Sequence, residues 1–126
     1  MVCSGDDVLA FMDNRPINTG HILLIPKAHL SNLFDLDPAT YGRLLDLARA
    51  LARSLQRVCR PRRVGLLVAG FDIPHAHVHL VPLHDYHDLT SRAILENRRG
   101  APTSGELATL AQELRNDVGR FGEFAS

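Results

Sequence analysis

The chain has 126 residues, of which 14 are lysine or arginine and 14 are aspartate or glutamate, so its formal net charge is zero. This length suits a single domain, residues 1–126, with a hydrophobic core of its own. The balanced charge argues against a nucleic acid polymer as partner, because proteins that bind polynucleotides usually carry an excess of basic residues. The two cysteines, Cys3 and Cys59, form no Cys-x-x-Cys pair, which suits a reducing compartment and gives no support to a cysteine zinc site.

The N-terminus lacks the features of an export signal. It reads MVCSGDD, which is polar and acidic, and no uncharged stretch of the chain approaches the roughly 20 residues that cross a bilayer. We therefore expect a cytoplasmic protein with no membrane partner.

Two apolar runs near the N-terminus predict neighbouring antiparallel strands. The first covers residues 8–12, and the Asn, Pro and Gly residues within 13–20 mark the loop that follows it. The second covers residues 21–26 and is apolar at consecutive positions, so both faces of this strand should be covered.

A long amphipathic helix should come next. Asp37 and Pro38 form a helix start, with the aspartate as N-cap and the proline at the first helical position. Apolar residues then recur at three- and four-residue spacing up to Val58, with arginines on the opposite side. Arg60 and Pro61 should end the helix.

Two further strands and a final helix complete the predicted elements. The strands cover residues 64–69 and 75–81 and are joined by residues 70–74. Thr103 and Glu106 form a capping box before a helical pattern that runs from Leu107 to Val118. Short antiparallel connections, with one long helix inserted and another at the end, indicate an α+β fold.

The last predicted strand has histidine at three alternate positions, His75, His77 and His79. Side chains of a strand alternate between faces, so all three should project from one face. A flat run of three cannot easily converge on one zinc ion, so a metal site would need one His-x-His pair and further ligands. Those ligands would be His29, His84, His87 or an aspartate. Three structural histidines are another alternative, although desolvating three imidazoles needs compensation that apolar side chains do not require.

Catalysis suits this spacing better than either alternative. A neutral imidazole is a capable nucleophile near pH 7, and the middle histidine, His77, has a histidine on each side. Attack by His77 on phosphorus would give a phosphoramidate intermediate, with the flanking rings balancing charge on the nonbridging oxygens. The other ring nitrogen of His77 should donate to a backbone carbonyl, which leaves the attacking lone pair free.

The sequence around these histidines resembles the histidine triad (HIT) family. Residues 75–81 read HAHVHLV, which matches the family signature of three alternate histidines separated and followed by apolar residues. The likeness covers about residues 8–118, with further matches at 8–13, 20–29 and 32–36. It implies an α+β fold with a five-stranded antiparallel sheet, which a homodimer extends into a continuous ten-stranded sheet.

The resemblance also implies an activity. The family pattern predicts a nucleotidyl hydrolase or transferase that cleaves at the α-phosphate of a nucleotide derivative, such as a phosphoramidate or a dinucleoside polyphosphate. The reaction would pass through a covalent nucleotidyl-histidine and would require no metal and no cofactor. The partner is then a small-molecule nucleotide. The alternative is a nucleotide-binding regulatory module with little turnover.

The family motif implies roles for individual residues. His77 corresponds to the nucleophile, and His75 and His79 correspond to its supporting partners. His29 matches the fourth histidine, which approaches the triad from the loop after residues 25–27. Asp13 is similar to the residue that binds the ribose hydroxyls. The wall that holds the base corresponds to Phe11, Ile22 and Leu24.

One segment departs from the family pattern. Many relatives have Gly-Gln-Ser/Thr before the triad strand, where this chain has Gly70, Phe71 and Asp72. An ionised Asp72 can only accept hydrogen bonds and would repel a phosphate oxygen. Asp72 therefore either points away from the nucleotide or is protonated and acts on the leaving group, and the choice of substrate depends on which holds.

Overall fold

One five-stranded sheet and two helices make up the part of the chain that is described. The computed structural model describes residues 2–68, 75–84 and 103–120. The strands are β1 (Cys3–Ser4), β2 (Val8–Met12), β3 (Ile22–Pro26), β4 (Arg63–Leu67) and β5 (Val78–Leu83). The helices are α1 (Pro38–Val58) and α2 (Ser104–Arg120), and a 3₁₀ helix covers Leu33–Asp35.

The strands lie in the order β1-β2-β3-β5-β4, and each pairs antiparallel with its neighbours. Helix α1 connects β3 to β4, and α2 follows β5 in the chain. The five-stranded antiparallel α+β fold that the sequence predicts is therefore confirmed. None of the described helices combines the length and the apolar character needed to cross a bilayer.

The register of the sheet separates a core face from an open face. Paired residues of antiparallel strands point to the same side, so Ala10 and Leu24 share one face while Phe11 and Leu23 share the other. Helix α1 packs against the core face, whose residues are almost fully buried: Val8, Ala10, Ile22, Leu24, Val78 and Leu80. The open face carries Phe11, Leu23 and His79, which pairs with Leu23 across β3 and β5.

Helix α1 begins and ends where the sequence indicates. The Asp37 carboxylate accepts a hydrogen bond from the Thr40 N–H at 3.1 Å, which satisfies one of the free donors of the first turn. The helix ends at Val58, and Arg60 then takes a left-handed φ of 49°, which cannot continue an α-helix. The apolar side of α1 is fully buried at Leu44, Leu51 and Leu55. Burying one such side chain contributes roughly 1.5–3 kcal/mol.

A buried polar contact joins α2 to α1. Asp117 of α2 accepts hydrogen bonds from the Ser54 hydroxyl at 2.7 Å and from Arg57 Nε at 2.8 Å. These charge-assisted bonds offset the desolvation of a nearly buried carboxylate. The N-terminus of α2 is capped as predicted, because Thr103 Oγ1 accepts from the Glu106 N–H at 3.1 Å.

Strand β5 starts later than the histidine pattern predicts. It begins at Val78, so two of the three histidines precede the ladder and only His79 lies within the strand. The reason is the preceding backbone, where the Ala76 N–H donates to the Leu30 carbonyl oxygen at 2.6 Å, beyond the end of β3. The predicted alternation persists for His77 and His79, because Ala76 and Val78 lie in the core cluster while the rings of His77 and His79 lie 4.9 Å apart.

Gly20 occupies a crowded turn directly before His21. Its φ is +99°, and an added Cβ would lie 2.9 Å from Pro82 Cγ and 3.0 Å from Cys59 Sγ. Gly20→Ala is therefore expected to lower the free energy of unfolding by about 2–6 kcal/mol, because backbone strain and overpacking each contribute on the order of 1–3 kcal/mol.

Gly42→Ala is the matched control for Gly20→Ala. Gly42 lies within α1, and nothing is found within 4 Å of its added Cβ. This change should raise the free energy of unfolding by up to about 1 kcal/mol, because alanine is the better helix former. Urea unfolding measures both variants, and equal stabilities would contradict the assigned role of Gly20.

Candidate functional site

His77 is held in the tautomer that a nucleophile needs. Its Nδ1 lies 2.8 Å from the carbonyl oxygen of His75, which can only accept, so Nδ1 carries the ring proton. The lone pair of Nε2 is then free to attack. The predicted bond between His77 and a backbone carbonyl is confirmed, and it comes from the residue two positions earlier in the same segment.

A chain of hydrogen bonds through His21 fixes the tautomer of His79. The Ile17 N–H donates to His21 Nδ1 at 3.1 Å, so a neutral His21 carries its proton on Nε2. This Nε2–H donates to His79 Nδ1 at 2.9 Å. The proton of His79 therefore lies on its own Nε2, as an available donor. The rings of His79 and His77 meet edge to face, with centroids 4.9 Å apart.

Burial keeps this histidine pair uncharged near neutral pH. It lowers the pKa of His79 to about 4, and repulsion from His21 and His77 acts in the same direction. Burial also lowers the pKa of His21, although the Asp13 carboxylate opposes that shift. While both rings are neutral, His21 therefore donates to His79, and the ring of His79 lies against that of His77.

The lowered pKa of His79 predicts a loss of stability in acid. The folded protein protonates this ring only near pH 4, whereas the unfolded chain does so near pH 6.5. The unfolded chain therefore binds more protons in between, and the free energy of unfolding should fall as the pH drops from about 6.5 to about 4. Thermal melting between these values measures the loss. His79→Gln should lose less stability over this pH range than the wild type. A variant with the same pH dependence as the wild type would contradict the assignment of the effect to His79.

Residues expected to bind a nucleoside lie beside His79 on the open face. Asp13 follows β2, and its Oδ1 accepts from the Arg15 N–H at 2.8 Å while Oδ2 lies 3.6 Å from His21 Nε2. Phe11 is two residues earlier in the chain and therefore points to the same side. These positions bring two of the predicted nucleoside contacts, Asp13 and Phe11, close to the histidine chain.

Two of the predicted base contacts are wrong. Ile22 and Leu24 are fully buried on the core face, under α1, and cannot reach a ligand on the open face. The alternation of side chains in β3 places Leu23 on the open face instead, directly opposite Phe11. The sequence marks β3 as apolar throughout, so its composition alone does not indicate which residues face the site.

His21, rather than His29, is the fourth histidine that hydrogen-bonds to the triad. His29 is exposed, and its ring lies edge-on to that of His75 at a centroid distance of 5.6 Å. His21 is buried and reaches His79 at 2.9 Å. Antiparallel pairing of β2 and β3 places His21 opposite Asp13, whose N–H donates to the His21 carbonyl oxygen at 2.9 Å, but no local sequence pattern pairs His21 with His79.

A cavity of about 310 Å³ borders His77. His77 is only 6% exposed, yet it is one of the residues that line the cavity, so it is not sealed in the core. The rest of the described wall comes from the 3₁₀ region, the residue after β4 and the segment before β5. These residues are Ser31, Asn32, Leu33, Val68, His75 and Ala76.

The ligand atoms of Asp13, His21 and His79 lie within 4.8 Å of one another, a spacing that suits a metal ion. The surroundings of His21 argue against that use. Coordination through Nε2 would move its ring proton to Nδ1, which already faces the Ile17 N–H, a second donor. Metal-bound histidines instead direct the other ring N–H at an acceptor. The arrangement therefore favours a chain of imidazole hydrogen bonds over a metal centre.

The sequence also draws attention to Asp72, His84 and His87. Asp72 and His87 lie outside the described residues, so the predictions for them stay predictions. His84 is exposed directly after β5.

The HIT domain family model matches residues 1–86, which is more than half of the chain. The chain belongs to the HIT family. Its resemblance at the three alternate histidines therefore reflects membership, and the HIT assignment made from the sequence is confirmed.

Two relatives show how far the similarity of this HIT protein extends. An uncharacterized HIT-like protein of Borreliella burgdorferi is 32% identical over 88 residues, which cover 64% of this chain and 63% of that protein. The asymmetrical bis(5'-nucleosyl)-tetraphosphatase of Schizosaccharomyces pombe is 32% identical over 78 residues, which cover 58% of this chain and 43% of that enzyme. The matched segment thus spans less than two thirds of the length of either relative.

A solved structure supports the fold of this HIT protein. A hypothetical histidine triad nucleotide-binding protein from Sulfolobus tokodaii superposes with a TM-score of 0.78 at 24% sequence identity. The superposition covers 95% of this chain and 83% of that one. A likeness at this level of identity shows the fold, and the predicted HIT-like fold is confirmed.

Proposed function

We propose that this HIT protein is a nucleotidyl hydrolase or transferase that cleaves at the α-phosphate of a nucleotide derivative. The observation that carries the proposal is the environment of His77. This residue lines a cavity, its Nε2 lone pair is free, and its ring lies beside a neutral donor, His79. The name of the yeast relative, a bis(5'-nucleosyl)-tetraphosphatase, supports the same class of reaction. Substrates are nucleoside phosphoramidates or dinucleoside polyphosphates.

The reaction consists of two displacements at phosphorus. The Nε2 lone pair of His77 attacks the α-phosphorus, an N–P bond forms, and the leaving group departs with the electron pair of its bond and takes a proton from water. Water then attacks the same phosphorus and loses a proton to solvent. The N–P bond breaks, the electron pair returns to Nε2, and the nucleoside monophosphate leaves. A transferase would use an acceptor hydroxyl in place of water.

The histidines around His77 stabilise these steps without a metal ion. The Nε2–H of His79 donates to a nonbridging oxygen as negative charge builds up on it. His75 supplies the carbonyl that orients His77, and its own Nε2 donates to the Pro26 carbonyl oxygen at 2.8 Å. His21 acts through His79 and is therefore a positioning residue.

The nucleoside lies on the open face in this proposal. Asp13 binds the ribose hydroxyls, and Phe11 and Leu23 contact the base. The shared face of Phe11, Leu23 and His79, and the position of Asp13 beside His21, support this placement. Asp72 also contacts the nucleotide in this proposal, and the support for that role is its position in the sequence.

Incubation with adenosine 5'-phosphoramidate tests the proposal. Repeated turnover to free AMP is the expected result. Tight retention of AMP without turnover would instead indicate a nucleotide-binding regulatory module, in which the Phe71 and Asp72 substitutions have reduced the rate. Activity that disappears on chelation and returns with zinc would contradict the metal-free mechanism.

A homodimer is part of this proposal. Its support is the edge strand β4, where Leu66 is 51% exposed and the following Val68 is 42% exposed. Natural proteins usually cover or charge such an apolar edge, because it promotes pairing with another chain. Sedimentation equilibrium should give a dimer, and a monomer at micromolar concentration would contradict this part.

A further inference from the structure

We propose that Asn18 is a positioning residue for the proposed reaction, because its side chain fixes the loop that carries His21 to strand β5. This role rests on the proposed function, in which His21 acts only through His79. Asn18 lies in the loop of residues 13–21, which connects β2 to β3. It acts through these two histidines and not on the substrate itself.

The side chain of Asn18 joins this loop to β5 in the interior of the protein. Asn18 is only 2% exposed, and its Nδ2 donates to the carbonyl oxygen of Pro82 at 2.9 Å. The ladder between β3 and β5 ends where Ile22 pairs with Leu80, two residues before Pro82. The Asn18 amide therefore supplies from a side chain the kind of donor that a longer ladder would supply from the backbone.

The backbone around Asn18 holds His21 at two points. The carbonyl oxygen of Asn18 accepts from the His21 N–H at 3.1 Å, and the neighbouring Ile17 N–H donates to His21 Nδ1, also at 3.1 Å. The first contact places the His21 backbone, and the second sets the tautomer of its ring. A shift of residues 17–18 would therefore disturb both.

These contacts form a path that begins and ends on β5. Pro82 and His79 both belong to this strand, and His21 Nε2 donates to His79 Nδ1 at 2.9 Å. Asn18 is thus anchored to the same strand that carries the acceptor of the His21 ring. Hydrogen bonds weaken steeply when donor and acceptor are misaligned. The anchor therefore keeps the ring of His21 aligned with that of His79.

Loss of the anchor should allow both rings to change tautomer. Without the side chain of Asn18, the Ile17 N–H is no longer held at His21 Nδ1. That nitrogen can then carry the ring proton, and Nε2 of His21 becomes an acceptor for a proton on His79 Nδ1. A fraction of the molecules would then lack the Nε2–H of His79 that donates to the nonbridging oxygen, so catalysis should slow.

Histidine tautomers and kcat together test this role in Asn18→Ala. Nitrogen NMR spectra near neutral pH should show only the Nε2–H tautomer of His79 in the wild type and a mixture of tautomers in the variant. With adenosine 5'-phosphoramidate, kcat should fall by about tenfold or more while KM changes by less than about twofold. Asn18→Thr should give the same results, because threonine fills a similar volume but its hydroxyl is one bond nearer the backbone. It takes the place of Asn18→Ala if the alanine variant does not fold.

A second background separates positioning from stability. In His21→Phe, which has lost the contact to His79, Asn18→Ala should lower kcat by less than about twofold, because the effects of residues on one path are not additive. A residue that serves stability alone would give the same loss in both backgrounds. Thr19→Ala is the matched control, because Thr19 is the exposed neighbour of Asn18 in the same loop, and it should match the wild type in both measurements.

Two results would overturn the role of Asn18 while the proposed function stands. One is an unchanged His79 tautomer in a folded variant of Asn18, and the other is an equal loss of kcat in the wild-type and His21→Phe backgrounds. A wild-type protein that does not turn over adenosine 5'-phosphoramidate would instead overturn the proposed function, and the positioning role with it.

Discussion

Replacing His77 by asparagine is expected to lower kcat/KM by about 10⁴-fold or more while the protein stays folded. The asparagine amide can donate to the His75 carbonyl oxygen in place of the ring Nδ1–H. It has no counterpart of the free Nε2, so the covalent step is lost while the local hydrogen bond is kept. Steady-state release of AMP measures the effect.

A second substitution at the same position separates chemistry from folding. His77→Ala removes the hydrogen bond as well as the nucleophile, so it should also lower the free energy of unfolding by on the order of 1 kcal/mol. Both variants should be equally inactive. An asparagine variant that keeps a tenth or more of the wild-type kcat/KM would rule out His77 as nucleophile.

Replacing His21 by phenylalanine should lower kcat by about 100-fold or more, although His21 contacts no substrate in the proposed reaction. The new ring has a similar shape but cannot donate to His79 Nδ1, so the tautomer that presents the Nε2–H of His79 is no longer fixed. Loss of the group that fixes a catalytic tautomer can lower kcat by up to about 10⁴-fold. The Ile17 N–H also loses its acceptor, so we expect the protein to unfold more readily.

The conservative variant and a second histidine distinguish positioning from stability. His21→Gln supplies both an acceptor for the Ile17 N–H and a donor for His79, so part of the lost kcat should return. His29→Phe should retain most of the activity, because His29 is exposed and touches only the ring of His75. Comparable losses in His21→Phe and His29→Phe, with no rescue by glutamine, would contradict the role of His21.

Features that depend on local sequence could be predicted well. The N-cap at Asp37 and the capping residue Thr103 are short-range hydrogen bonds, and each is found where the residue pattern places it. The two helices follow from apolar spacing, and membership of the HIT family follows from three alternate histidines in a family signature. The hydrogen bond from His77 to His75 is equally local, since it spans two residues.

Features that depend on contacts between distant segments could not be predicted in the same way. Strand β3 is apolar at every position, so only its register with β2 shows that Leu23, rather than Ile22 or Leu24, faces the site. The contact between His21 and His79 joins residues 58 positions apart. Strand β5 begins late because Ala76 bonds to the backbone of Leu30. Each outcome depends on pairing between segments, which composition does not encode.

A rapidly quenched reaction tests the central claim most directly, because the claim is that phosphorus becomes bonded to His77 Nε2. The wild-type protein would be mixed with adenosine 5'-phosphoramidate, quenched in base to preserve an N–P bond, digested and examined by mass spectrometry. We expect an adenosine monophosphate adduct on the peptide that contains His77, and its absence from His77→Asn. Turnover without an adduct under single-turnover conditions, or an adduct on a different residue, would contradict the mechanism.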